Sequence, residues 1–172
     1  MELLIFSDSH GKSDRIAEAL GRNRSADFAV FLGDGLRDLE RVDFGGMPVI
    51  SVRGNCDIFS LSPSNAAPNE LILSWGEYTV LIAHGHTLGV KEDICRAAER
   101  AALAGVDLLI FGHTHMRLDK YFPAGELIGN TLLEKPLRLF NPGSIGSPKD
   151  GRPSFGIIGI RDGNILMSHG YL

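Results

Sequence analysis

The sequence predicts a mixed α/β (α+β) fold in which two sheets pack face to face with helices outside. Three observations carry this. Short apolar runs rich in Val, Ile, Leu and Phe recur along the chain. Helical periodicity separates the early runs. Hairpin signals, "SWGEYTV" and "IRDGNIL", join others.

The strand candidates are 2–6, 28–32, 48–52, 78–83 and 107–111, followed by 137–140, 154–160 and 164–170. Residues 13–20 read as a helix, with Ser13 as N-cap, Ile16, Ala17 and Leu20 on one face and Gly21 as the stop. A second helix is expected around 36–41. The clearest covers 91–105, with Ile94, Ala97, Ala98 and Ala101 at helical spacing, acids in the first turn and Gly105 at the end. Region 117–136 reads as a loop or a strand with an excursion.

At 172 residues the chain is long enough for a sizeable core and is expected to form one domain, 1–172. Its 44% hydrophobic and 22% charged content is that of a soluble globular protein. A net charge of −4 with scattered Lys and Arg argues against binding long nucleic acid. Cys56 and Cys95 are too few for a disulfide framework. The apolar start is too short for a secretion signal, and no run reaches the roughly 20 apolar residues of a membrane span. A cytoplasmic location without membrane contact is expected.

Each of the first five strand candidates ends in polar residues. Asp8 and His10 follow the first and Asp34 the second. Asn55, Cys56 and Asp57 follow the third, His84 and His86 the fourth, and His113 and His115 the fifth. Five of the six histidines occupy such positions; only His169, expected to be structural or exposed, does not. Residues i and i+2 of an extended segment share a side, so His113 and His115 are expected to face one spot. Taken singly, each motif has a plainer reading: Asp8 as a cap near Ser13, "LGDG" and "RGNCD" as turns, and each HxH as a hydrogen-bonded pair. Together they predict one rim at the carboxyl ends of mostly parallel strands, where ligands bind in open α/β sheets.

The donors Asp8, His10, Asp34, Asn55, His84, His113 and His115 combine hard oxygen with imidazole nitrogen and need no thiolate. That mixture suits Mn, Fe, Zn, Co or Ni better than Ca. Seven donors exceed the needs of one tetrahedral ion and suit two ions sharing a carboxylate. Such a pair can activate a bridging hydroxide for in-line attack at phosphorus.

The ordered series D-x-H, GD, GN, H and GHxH, from Leu3 to Ser144, resembles the calcineurin-like metallophosphoesterase superfamily. "VRGNCD" (52–57), "AHGH" (83–86), "GHTH" (112–115) and "NPGS" (141–144) look like its YfcE-type phosphodiesterase branch. The resemblance implies a four-layer α/β/β/α sandwich of two mixed sheets with flanking helices. It implies one divalent transition-metal ion on Asp8, His10, Asp34 and His115, and a second on Asp34, Asn55, His84 and His113. Asp34 bridges, and manganese is expected foremost. Asp34, Asn55 and His86 are the expected catalytic residues, with His86 off the metals and toward substrate. The implied activity is hydrolysis of a small phosphodiester. The alternatives are a phosphomonoesterase or nuclease on the same site, or a non-catalytic assembly scaffold like the eukaryotic retromer subunit of similar fold. Relatives also suggest homo-oligomers.

Many superfamily members carry histidine where this chain has Cys56. A thiol is a poor general acid near neutral pH, so substrates with good leaving groups are expected. Cys56 itself reads as a half-buried filler in a turn, and Cys95 as part of its helix's apolar face. "NPGS" is expected to turn near the rim and steady the "HGH" and "GHTH" loops through backbone hydrogen bonds.

Overall fold

The computed structural model describes residues 1–59 and 67–172. In chain order the elements are β1 (Glu2–Phe6), α1 (Ser13–Arg22), β2 (Phe28–Phe31), α2 (Leu36–Leu39) and β3 (Val49–Ser51). Then come β4 (Glu70–Trp75), β5 (Tyr78–Ala83), α3 (Ile94–Leu103), β6 (Leu108–Phe111) and β7 (Arg117–Phe122). The chain ends with β8 (Leu127–Ile128), β9 (Thr131–Leu132), β10 (Leu137–Pro142), β11 (Ser154–Arg161) and β12 (Asn164–Tyr171).

Two five-stranded mixed sheets result, ordered β12-β11-β1-β2-β3 and β4-β5-β6-β10-β7; β8 and β9 form a separate small hairpin. In the first sheet β1, β2 and β3 are parallel, and in the second β5, β6 and β10 are parallel. The period-2 alternation of these buried strands builds the layers. Leu3, Ile5, Val30 and Leu32 face Val80, Ile82, Leu108 and Ile110 between the sheets. The alternate residues Leu4, Phe6, Ala29 and Phe31 pack on Ile16, Ala19 and Leu20 of α1 and Leu36 of α2. Leu81, Ala83, Leu109 and Phe111 pack on Ala97, Ala98 and Ala101 of α3. The order is helix, sheet, sheet, helix, as predicted.

Local details differ from the sequence reading. Ser13 is the first residue of α1, not its cap; Lys12 holds the cap position and makes no side-chain cap bond. The helix runs past Gly21 to Arg22, where Asn23 Nδ2 donates to Ala19 O. Ala17 is exposed, and Ala19 takes its place on the buried face. In α3, Asp93 caps by accepting from Cys95 N, and Cys95 is exposed instead of lying on the apolar face. Region 117–136 resolves into β7 and the β8–β9 hairpin. The "RDGN" turn is a two-residue hairpin with Asp162 and Gly163 both at positive φ, 51° and 72°. Among the described residues no helix is long and apolar enough to cross a membrane.

Candidate metal centre

The expected rim exists, but two sheets share it. β1, β2 and β3 deliver Asp8, His10, Asp34 and Asn55, while β5 and β6 deliver His84, His86, His113 and His115. The loops are tied across strands and sheets. Asp8 N donates to Gly33 O at 3.0 Å and His10 N to Asp34 O at 3.2 Å. Gly112 N donates to His84 O, and His113 N crosses to Asp8 Oδ2, each at 3.0 Å.

Two sets of candidate ligand atoms result, each with all members within 4.8 Å of one another: Asp8, His10 and His115, and Asp34, His84 and His113. In the first, His115 Nε2 is 3.2 Å from Asp8 Oδ1 and 3.3 Å from His10 Nε2. In the second, His84 Nε2 is 3.4 Å from Asp34 Oδ2 and 3.2 Å from His113 Nδ1. Asp34 Oδ2 also stands 3.9 Å from His10 Nε2, which puts this carboxylate between the sets. His113 and His115 thus reach one centre but join different sets. Both adopt left-handed backbone, φ 66° and 62°, so the extended geometry expected for them does not hold.

Strain concentrates here. Asp8, His10 and Asp34 are also left-handed, at φ 54°, 44° and 58°. Such conformations cost of order 1–3 kcal/mol each and persist where surroundings over-determine them. Gly33 and Gly54 supply part of that constraint. A Cβ on Gly33 would overlap Gly54 N, and one on Gly54 would overlap Asp34 N and Oδ1. Only two glycines let these loops approach so closely.

Hydrogen bonds set the imidazole tautomers. His84 Nδ1 lies 2.7 Å from Leu32 O and His115 Nδ1 2.6 Å from Ser147 O. A carbonyl only accepts, so both Nδ1 atoms carry hydrogen and both Nε2 atoms turn to the centre. This is the usual support for a metal-binding histidine.

The electrostatics call for positive charge. Burial alone would push Asp8 and Asp34 up, yet both lie below the ordinary carboxylate range, Asp8 through His115 and His84 and Asp34 through His84. His115 is pushed up chiefly by the negative Asp8 carboxylate 3.2 Å from its Nε2. His84 is pushed up by Asp34 and Asp8 against the effect of its own burial. Burial, then His84 and Lys91, lower His113 to about 4 and keep it neutral. Asp8 Oδ1 and Asn55 Oδ1 are buried and accept no hydrogen bond. Two orphaned oxygens amid inward-facing imidazoles fit divalent cations of the predicted class.

His86 sits beside the second set, its ring 5.4 Å from that of His84 and 6.1 Å from that of His113. Cys56 is exposed, not half-buried, and its sulfur forms a further close group with His10 and Asp34. Burial and then Asp34 push its thiol up to about 11, so it stays protonated.

Sequence reasoning missed Asp57 and Asp38 as holders of these loops, and expected "NPGS" to act there through backbone hydrogen bonds. The Asp57 carboxylate accepts from the backbone N–H of Asp34, Gly35, Leu36 and Gly54 at 2.8–3.0 Å. Asp38 accepts from Ser9 Oγ and Gly11 N. "NPGS" acts through side chains: Asn141 Nδ2 donates to Gly112 O and Thr114 Oγ1, and Ser144 Oγ to Asp8 O. It therefore steadies the "GHTH" and "SDSH" loops. His169 is structural, stacked on Phe140 at 4.7 Å and bonded to Asn141 O. The one cue was the clustering of Asp57 and "NPGS" beside metal-type motifs.

A two-sheet sandwich gathering Asp and His donors at one rim defines a metallohydrolase-like protein. Residues 1–163 match the calcineurin-like phosphoesterase superfamily domain, and the chain belongs to that family. It is 30% identical to the probable metallophosphoesterase YsnB of Bacillus subtilis, over 87% of this chain and 78% of that protein. Phosphodiesterase YfcE of Escherichia coli K12 is 29% identical over 96% and 90%. A crystal structure of Vps29 with zinc, from Entamoeba histolytica, shares the fold at TM-score 0.66 and 19% identity, covering 99% of each chain.

Proposed function

We propose that this protein is a phosphodiesterase acting on small phosphodiesters with two divalent transition-metal ions, manganese foremost. Asp8, His10, Asp34 and His115 would hold one ion and Asp34, Asn55, His84 and His113 the other. The observation that carries this reading is the pair of ligand sets with Asp34 between them and two buried oxygens left without donors. When bound, such ions supply a nucleophile at neutral pH and offset charge developing at phosphorus. Asp34 and Asn55 orient that chemistry, and His86, half-buried at the edge, contacts substrate oxygen. Cys56 as a neutral thiol gives the leaving oxygen little protonation, which restricts turnover to good leaving groups.

The test compares aryl phosphodiesters with matched monoesters under added Mn, Zn, Fe, Ni or Co. Diester turnover that needs metal and is lost in Asp34→Asn supports the reading. Near-normal hydrolysis by Asp34→Asn defeats it. A non-catalytic assembly scaffold on the same fold is the second reading; full metal occupancy with no turnover of any phosphoester would select it.

A further inference from the structure

Lys91 sits between the loop that follows β5 and the start of α3. Its Nζ stands 3.4 Å from His113 Nδ1, the same nitrogen that faces His84 Nε2 at 3.2 Å. The ammonium thus reaches the second ligand set, although the residue is exposed. The backbone on either side is held in place. Leu88 and Val90 are buried in the core that β5 and β6 share with α3. Val90 lies so close to Gly85 that a Cβ there would stand 2.9 Å from Val90 Cγ2. Glu92 N and Asp93 N donate to Gly89 O at 3.1 and 3.0 Å, and the Asp93 carboxylate caps α3. Among the described residues Lys91 forms no ion pair, although Glu92 and Asp93 follow it in sequence. A positive charge therefore stands at the edge of the centre with no carboxylate to neutralise it.

We propose that Lys91 binds substrate at this centre, its ammonium donating to a non-bridging oxygen of the reacting phosphodiester. This rests on the phosphodiesterase reading above. A divalent ion on His113 and an ammonium so near it repel each other, and an anion lying between them removes the conflict. A phosphodiester has two non-bridging oxygens, so one can face an ion while the other stays open to a donor. Lysine suits that position: it carries a compact charge with three donors on a flexible stem and binds phosphate as a point charge. As negative charge grows on the phosphoryl oxygens in the transition state, the same ammonium offsets part of it. Lys91 is then a residue that touches substrate without holding metal, separate from the seven donors.

The test is calorimetric binding of methyl(phenyl)phosphinate to the manganese-loaded protein. This monoanion has the two free oxygens of a phosphodiester, with P–C bonds in place of its esters, so it cannot be hydrolysed. Lys91→Gln should bind it about ten-fold more weakly than wild type, as expected of one charge-assisted contact. Lys91→Arg keeps the charge and its donors and should stay within about three-fold of wild type. Manganese titration of the same proteins should find Lys91→Gln no weaker than wild type, because the change removes a like charge from beside His113. No phosphinate binding by wild type, equal binding by Lys91→Gln, no recovery in Lys91→Arg, or weakened manganese binding by Lys91→Gln each overturns the proposal. Hydrolysis of bis(4-nitrophenyl) phosphate by wild type is measured separately. Its failure would sink the phosphodiesterase reading, while the phosphinate affinities still decide the role of Lys91.

Discussion

Asp57 anchors the candidate centre without touching it, so Asp57→Ala separates scaffold from ligands. Its buried carboxylate accepts four backbone donors from two loops, at 2.8–3.0 Å. A net worth of about 1 kcal/mol per bond gives a loss of about 4 kcal/mol on removal, with the donors left buried. For a chain of this size that is roughly 8–16 °C in Tm. Denaturant unfolding in excess chelator reads the loss without contribution from metal. Released from Asp57, Asp34 N no longer fixes its carboxylate, and metal affinity should fall about 10–100-fold. A stability loss under about 1 kcal/mol with unchanged metal affinity would refute the reasoning.

Cys56→His should restore leaving-group protonation: across aryl diesters of rising leaving-group pKa, the variant should show a shallower dependence of rate than wild type, and an unchanged slope counts against the role given to this position. Metal affinity should rise with pH. His84 and His115 are pushed above the ordinary histidine value, so protons compete with cations as pH falls, and binding releases them. Titration calorimetry in buffers of different ionisation enthalpy measures that release near pH 6.5; binding with no proton release contradicts the assignment of these imidazoles.

Much of the fold was legible because buried strands write themselves as short apolar runs, and alternation assigns their two faces. The ligand candidates were legible because five successive strand candidates each end in aspartate, asparagine or histidine, a set that turn and cap roles explain one by one but not together. Helix ends were less so: Ser13 resembles a cap, but local backbone made Lys12 the boundary. Partition of His113 and His115 between two sets depends on left-handed dihedrals that an HxH motif does not encode. Asp38, Asp57 and Asn141 act through backbone partners distant in sequence, and no spacing rule reveals these.

The central claim is a pair of cations gripped from both sheets, and anomalous diffraction from crystals soaked in manganese tests it most directly. The account predicts two peaks, one bounded by Asp8, His10 and His115 and one by His84, Asn55 and His113, with Asp34 touching both. A single peak, or manganese held elsewhere while these side chains keep only one another for company, would contradict it.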